Sequence, residues 1–131
     1  MSQCCGTNNV MLLACSGGSN VGQVANDCAR RLTQLGQGKM FCAVGVAGKL
    51  DMPNGSTFVD AARAADVRVA IDGCGVRCVG KALESAGLPV DVQVVLTSEM
   101  PMEKGYNFDF GEAEVAKAAG LVVDKLQGLG S

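Results

Sequence analysis

The most informative absences in this 131-residue chain are those of histidine and tryptophan. Without histidine, the chain cannot form an imidazole general base, a histidine-based catalytic dyad or triad, or a mixed cysteine–histidine metal site. Without tryptophan, and with aromatic residues at only 4%, it lacks the stacking platforms of proteins that bind single-stranded nucleic acid. These absences leave cysteine as the residue type most able to carry chemistry.

The chain also lacks a strong charge of either sign and a long apolar run. Its net charge of −2 opposes nucleic-acid binding, because proteins that bind phosphate backbones are usually basic. No apolar stretch approaches the roughly 18 residues of a membrane span. Residues 1–6 have no basic region ahead of an apolar one, so we expect no secretory signal. These features predict a cytoplasmic protein that binds neither nucleic acid nor membranes.

Cysteine, by contrast, is abundant, with seven residues in the chain. The number is odd, and a chain of this length can bury a core without covalent cross-links. Disulfide scaffolds are usually shorter and richer in cysteine, and the cytosol keeps thiols reduced. The sequence therefore favours reduced thiols with a chemical or metal-binding role over a disulfide framework.

Apolar runs alternate with helical stripes along the whole chain. The predicted strands are Val10–Cys15, Lys39–Val44, Val67–Ile71 and Asp91–Leu96. The first predicted helix is capped by Asn20 and the second by Ser56 or Thr57. The third follows Cys74, and the last runs from about Gly111 to Leu126. Such alternation is typical of a parallel sheet with helices on both faces. We predict one α/β domain over residues 1–131, with flexible ends at 1–8 and 127–131. It would be a three-layer domain with a mostly parallel sheet of about four strands, Rossmann-like or flavodoxin-like.

Four cysteines are predicted near the carboxyl ends of strands. Cys15 ends the first strand, Cys42 lies in the second half of the second, and Cys74 comes just after the third. Cys78 follows in the first turn of the next helix. The carboxyl ends of parallel strands share one edge of the sheet, where ligand sites form. Four thiolates are the ligand set of a structural zinc site, and they also hold iron–sulfur clusters.

The remaining cysteines are given no such role. Cys28 lies in the apolar stripe of the first predicted helix, so we assign it to the core. Cys4 and Cys5 lie in the predicted flexible N-terminal segment and are treated as incidental, with an accessory ligand or an oxidation site as the alternative. Free cysteine is among the most buried residue types, so on spacing alone Cys42 could equally pack within its strand.

A glycine-rich turn separates the first strand from the first helix. It consists of Ser16, Gly17, Gly18, Ser19 and Asn20, with Asn20 as the expected helix cap and Gln23 as its capping-box partner. It has neither the lysine of a Walker A loop nor the glycine spacing of a dinucleotide fingerprint. It can cradle a small anion and expose Cys15 as a nucleophile at a helix N-terminus, or it can be only a tight connection.

Two carboxylates are also predicted at the carboxyl edge. Asp72 precedes Cys74, and Glu99 follows the fourth strand. Either could be a metal ligand, a proton acceptor or a hydrogen-bond partner of the ligands. Asp72 could instead accept hydrogen bonds from backbone amides in its Asp-Gly turn.

Several of these segments, taken in order, resemble the DGC-domain family. The matching segments are Ala14–Gly17, Ser19–Gln23, Gly38–Met40 with Cys42, Ile71–Cys74 with Cys78, Val94–Thr97, Glu103–Lys104 and Asn107–Asp109. The family is named for its Asp-Gly-Cys tripeptide and is described as zinc-binding through four cysteines. The resemblance implies that Cys15, Cys42, Cys74 and Cys78 are the metal ligands. Gly75 and Ala47 depart from the family pattern at positions that affect loop stiffness.

The sequence thus supports four hypotheses. The first is a zinc-binding protein with a cysteine-thiolate site. The second is a redox or sulfur-handling protein that uses an iron–sulfur cluster, a Cys74–Cys78 disulfide or a persulfide. The third is an enzyme with Cys15 as its nucleophile and a small anionic ligand in the glycine-rich turn. The fourth is an interaction module with structural thiols. The alanine- and valine-rich last helix is also compatible with a homodimer.

Overall fold

A computed structural model describes residues 9–129, which form four strands and six helices. The strands are β1 (Val10–Ala14), β2 (Lys39–Phe41), β3 (Val67–Asp72) and β4 (Val92–Val95). The helices are α1 (Asn20–Gln34), α2 (Ala43–Ala47), α3 (Phe58–Arg63), α4 (Cys78–Ser85), α5 (Leu96–Glu99) and α6 (Glu112–Leu129). The predictions for Cys4 and Cys5 lie outside the described residues.

The strands form one sheet in the order β2-β1-β3-β4, and all three pairings are parallel. Strand β1 is central: Leu13 pairs with Phe41 of β2 on one side and with Ala70 of β3 on the other. All five residues of β1 are buried, as its continuous apolar run predicted. The predicted parallel α/β sheet is therefore confirmed, and its strand order is of the flavodoxin kind.

Helices cover both faces of the sheet, which confirms the three-layer arrangement. Successive side chains of β1 point to opposite faces, so Leu12 and Leu13 enter different core clusters. The Leu12 cluster includes apolar residues of α1 and α6, such as Val24 and Val122. The Leu13 cluster includes residues of α2, α3 and α4. Among the helices of residues 9–129, none combines the length and apolar character needed to cross a membrane.

The second predicted strand is shorter than its apolar run suggested. It ends at Phe41, and Cys42 is not a strand residue but the N-cap of α2. A short apolar run fits a strand and a buried helical turn equally well. Here the helical turn buries Val46 in the core and leaves Val44 exposed at the edge of the sheet. The prediction that placed Cys42 within the strand was wrong for this reason.

Two helix boundaries also differ from the prediction. The N-cap of α1 is Ser19, whose hydroxyl accepts a hydrogen bond from the Gly22 amide, and Asn20 is the first helical residue. Gln23 does not close a capping box, since its side-chain amide nitrogen (Nε2) donates to the backbone carbonyls of Ser16 and Gly17. At the other end of the chain, α6 continues past Leu126 to Leu129.

Two glycines allow three backbone segments to touch at the carboxyl edge of the sheet. A Cβ atom on Gly22 would lie 2.9 Å from the backbone N and O of Gly17. A Cβ atom on Gly73 would lie 2.7 Å from the carbonyl carbon of Val21. The loop after β1, the first turn of α1 and the loop after β3 are thus packed together through their backbones.

We expect the substitution Gly73→Ala to lower the free energy of unfolding by about 1–3 kcal/mol, because a rigid backbone would have to move to admit the methyl group. Urea denaturation of the purified protein measures this change. Gly120→Ala in α6 is the matched control, since a Cβ atom there meets no heavy atom within 4 Å. The control should gain about 0.5–1 kcal/mol from helix propensity. Equal effects of the two substitutions would contradict the close-approach explanation.

Candidate functional site

The four predicted site cysteines all lie at the carboxyl edge of the sheet. Cys15 directly follows β1, and its amide donates to the Ile71 carbonyl, which extends the β1–β3 ladder by one bond. Cys42 follows β2, and Cys74 lies in the loop after β3, while Cys78 is the first residue of α4. Cys15 and Cys74 are partly buried, whereas Cys42 and Cys78 are exposed.

The strand order determines the order in which these cysteines lie along the carboxyl edge of the sheet. Because β1 lies between β2 and β3, Cys15 is flanked by the loops that carry Cys42 and Cys74. A set of four cysteine sulfurs, with no histidine nitrogen among them, suits zinc and other thiophilic ions. In the part of the chain from residue 9 to 129, however, no three cysteine, aspartate or glutamate side chains are grouped so that they could hold a metal ion. The donor types fit a metal, but the site is not pre-assembled.

The glycine-rich turn after Cys15 is held together by its own hydrogen bonds. The Cys15 sulfur accepts a long hydrogen bond from the Gly17 amide (3.4 Å), and the Ser16 hydroxyl donates to Asn26 Oδ1 (2.8 Å). The Ser19 hydroxyl caps α1. These contacts give Ser16, Gly17 and Ser19 a structural role, and anion binding by the turn stays a prediction.

Asn20 joins the first turn of α1 to the distant loop after α5. Its side-chain amide donates to the Glu103 carbonyl (3.0 Å), and its side-chain oxygen accepts from the Gly105 amide (2.7 Å). Its own backbone amide donates to the Gly105 carbonyl (3.0 Å). Asn20 is buried, so these three bonds are shielded from water. They hold the residues on both sides of Lys104.

Lys104 is the site residue to which sequence reasoning assigned no role. Its ammonium nitrogen lies 3.5 Å from the Cys74 sulfur and 5.7 Å from the centre of the Tyr106 ring. The hydrogen bond to Cys74, followed by the attraction of the Cys74 charge, raises the pKa of Lys104. The Glu103–Lys104 pair formed part of the family resemblance, but only the folded chain shows what the lysine contacts.

Asp72 organises the start of α4. It is 1% exposed, and its carboxylate accepts from the amides of Val79 (2.8 Å) and Gly80 (3.0 Å) and from Gln93 Nε2 (3.0 Å). The N-cap residue Arg77 has φ of 56° and makes no side-chain cap. Asp72 therefore replaces the missing cap. The sequence predicted backbone amides as its alternative partners, but these amides belong to α4 and not to the Asp-Gly turn.

Glu99 is held by α6 and by its own helix. Its carboxylate forms an ion pair with Lys125 (2.7 Å) and accepts from the Val95 amide (2.9 Å). Partial burial raises the pKa of Glu99, but the hydrogen bonds from Lys125 and Val95 outweigh burial, and the pKa is lowered overall. Glu99 thus links α5 to α6, and its predicted part in the thiolate site stays a prediction.

Cys28 is fully buried in the core cluster formed with α6, which confirms its predicted core position. Burial, opposed by the nearby charge of Arg31, raises the pKa of the Cys28 thiol from 9.0 to about 12. This thiol is therefore protonated at neutral pH, and its burial separates it from the more accessible cysteines of the carboxyl edge.

Comparison with known proteins adds two similarities. The family model described as "DGC domain" matches residues 11–122. The chain is also 35% identical, over 116 residues, to the "Anaerobic and virulence modulator AnvM" of Pseudomonas aeruginosa. That alignment covers 88% of this chain and 83% of the relative. No solved structure matches the chain.

The role of Asp72 can be tested by removing its carboxylate. We expect Asp72→Ala to lower the free energy of unfolding by about 2–4 kcal/mol, because it leaves two buried backbone amides without acceptors. Chemical denaturation followed by circular dichroism measures the loss. Asp124→Ala, which changes an exposed aspartate of α6, should have an effect within about 0.5 kcal/mol. A similar loss in both variants would contradict the capping role.

The contrast between Cys28 and the edge thiols predicts selective alkylation. In native protein at pH 8, iodoacetamide should modify Cys42 and Cys78 and leave Cys28 unmodified, as read by peptide mass spectrometry. Folding raises the pKa of Cys28 from 9.0 to about 12. The contribution of the protonated Cys28 thiol to the free energy of unfolding is therefore complete below pH 9.0 and is lost as pH rises towards about 12. Modification of Cys28 at the rate of Cys42 would contradict its buried, protonated state.

Proposed function

Because this chain belongs to the DGC-domain family, we propose that it binds zinc, or another thiophilic metal ion, through cysteine thiolates in the cytoplasm. The proposed ligands are Cys15, Cys42, Cys74 and Cys78. The observation that carries the proposal is that all four follow three adjacent parallel strands at one edge of the sheet. The donor set contains no imidazole, so any side-chain site here must be rich in thiolate.

The exposed positions of Cys42 and Cys78 support assembly of the site on metal binding. Cys42 is the N-cap of α2, but its side chain makes no capping hydrogen bond. Cys78 starts α4 directly after Arg77, a residue in the left-handed conformation. Neither thiol is buried in a core cluster, so movement towards Cys15 and Cys74 would not break core packing. Bound zinc would keep the four sulfurs as thiolates and cross-link three loops.

A metal-binding role is also compatible with the name of the relative that is 35% identical to this chain. The name of the 35%-identical relative describes a modulator. A thiolate site without an imidazole base fits tight metal binding better than hydrolytic catalysis. We therefore propose a modulating role for the site in this chain.

A redox or sulfur-handling role is the second candidate, and the contact between Lys104 and Cys74 favours it. An ammonium group 3.5 Å from a sulfur stabilises negative charge on it. Such a thiol can form a disulfide with Cys78, carry a persulfide or contribute to an iron–sulfur cluster. This candidate uses the same cysteines, so one experiment can separate it from zinc binding.

Elemental analysis of protein purified anaerobically without added metal tests the proposal. We expect about one zinc ion per chain, because four-cysteine sites bind zinc tightly enough to survive purification. Cys74→Ser should lower the zinc content to below about 0.2 equivalents, since three ligands bind much more weakly than four. Cys28→Ala is the control that should retain the metal.

Two results would contradict zinc binding. One is wild-type protein that contains no metal and whose four edge thiols all titrate freely. The other is an absorption band near 400 nm with iron and sulfide in the preparation, which would establish the iron–sulfur alternative.

A further inference from the structure

We infer that Lys104 is a positioning residue of the thiolate site. Its positive charge makes Cys74 react faster with small anionic thiol-reactive molecules, in particular anionic disulfides, than with cationic ones. The inference rests on the proposed function only in placing a working thiol at Cys74. It adds a residue to the site and a chemical class of ligand.

The first support is the way in which the fold presents Lys104. The carbonyl of Glu103 and both backbone polar groups of Gly105 are hydrogen-bonded to Asn20. Asn20 is itself 7% exposed and belongs to the first turn of a 15-residue helix. The backbone of Lys104 is therefore fixed on both sides to a rigid element. From this position its side chain reaches the Cys74 sulfur, 30 residues away in sequence.

The second support is that no carboxylate of the described residues forms an ion pair with this lysine. Six ion pairs join side chains within residues 9–129, and none includes Lys104. Around the site, Glu99 is paired with Lys125 and Glu84 with Arg77. The buried Asp72 carboxylate is occupied by the amides of α4. The contacts of Lys104 are the Cys74 sulfur and the Tyr106 ring, so its charge stays available to an incoming anion.

The third support is access. Cys74 is only partly buried, and its neighbour Gly75 has open space where a Cβ atom would lie. Lys104 is exposed, and so is Tyr106. A small molecule can therefore approach both the Cys74 sulfur and the Lys104 ammonium group from solvent.

The reaction is a thiol–disulfide exchange. The Cys74 thiolate attacks one sulfur of the small disulfide, and a new bond forms between the two sulfurs. The original S–S bond breaks, and its other sulfur leaves with the electron pair as a thiolate that takes a proton from water. No external oxidant is needed, because the small disulfide is reduced as Cys74 is oxidised. Lys104 attracts the negative groups of the reagent and transfers no proton.

The test compares two disulfides of opposite charge on metal-free, chelator-treated full-length protein. Oxidised glutathione is the anionic reagent and cystamine is the cationic one. Peptide mass spectrometry measures the rate of mixed-disulfide formation at Cys74 itself, which separates it from the other thiols. The informative quantity is the ratio of the two rates, because a purely structural change would alter both rates together.

We expect Lys104→Met to lower the rate with oxidised glutathione about fivefold, the size expected for one unit charge about 4 Å away in water. The rate with cystamine should rise, so the ratio falls by at least about fivefold. Lys104→Glu should lower it further, and Lys104→Arg should restore it. Lys117→Met, which removes an exposed lysine of α6, is the matched control and should leave the ratio unchanged. High salt should reduce the wild-type ratio, since it screens exposed charges.

An unchanged ratio in Lys104→Met overturns the inference, and so does an equal fall in both rates. Zinc content, measured on the same preparations before the chelator is added, keeps the two proposals apart. Wild-type protein that binds zinc but shows no charge preference would remove only the role of Lys104. Protein without zinc whose ratio still falls in Lys104→Met would uphold that role and overturn the metal site.

Discussion

The parallel pairing of β1 with both β2 and β3 is the constraint on which the rest of the structure depends. It buries β1 on both faces and separates the helices into two layers. It also brings the loops that follow three strands to one edge of the sheet. Because β1 is central, Cys15 lies between the loops of Cys42 and Cys74. The thiols share an edge as a direct consequence of strand order.

The Asp-Gly-Cys tripeptide has a different physical role at each residue. Asp72 accepts hydrogen bonds from the first amides of α4, whose own N-cap residue cannot do so. Gly73 lets the backbone of α1 approach to a distance that no side chain would allow. Cys74 then faces Lys104, which Asn20 of α1 holds in place. One tripeptide thus joins β3, α1, α4 and the loop after α5 around a single thiol.

Sequence patterns predicted the layers well and the loop geometry less well. Long-range periodicity identified the parallel α/β domain and the core position of Cys28, because burial requires a regular spacing of apolar residues. The same patterns extended β2 through Cys42, since a short apolar run does not distinguish a strand from a helical turn. The cap of α1 was placed one residue late for a related reason, because Ser19 and Asn20 are both good capping residues.

By itself, the sequence determined the donor chemistry: thiols, no imidazole, and a βα alternation that sends strand ends to a common edge. These properties depend on residue type and local spacing, which are readable along the chain. Only the tertiary structure decided the strand order, the bonding of Asp72 to α4, and the approach of Lys104 to Cys74. Those features depend on hydrogen bonds and backbone contacts between residues up to 85 positions apart. No local pattern records such contacts, because they arise when β1 pairs and the helices close over it.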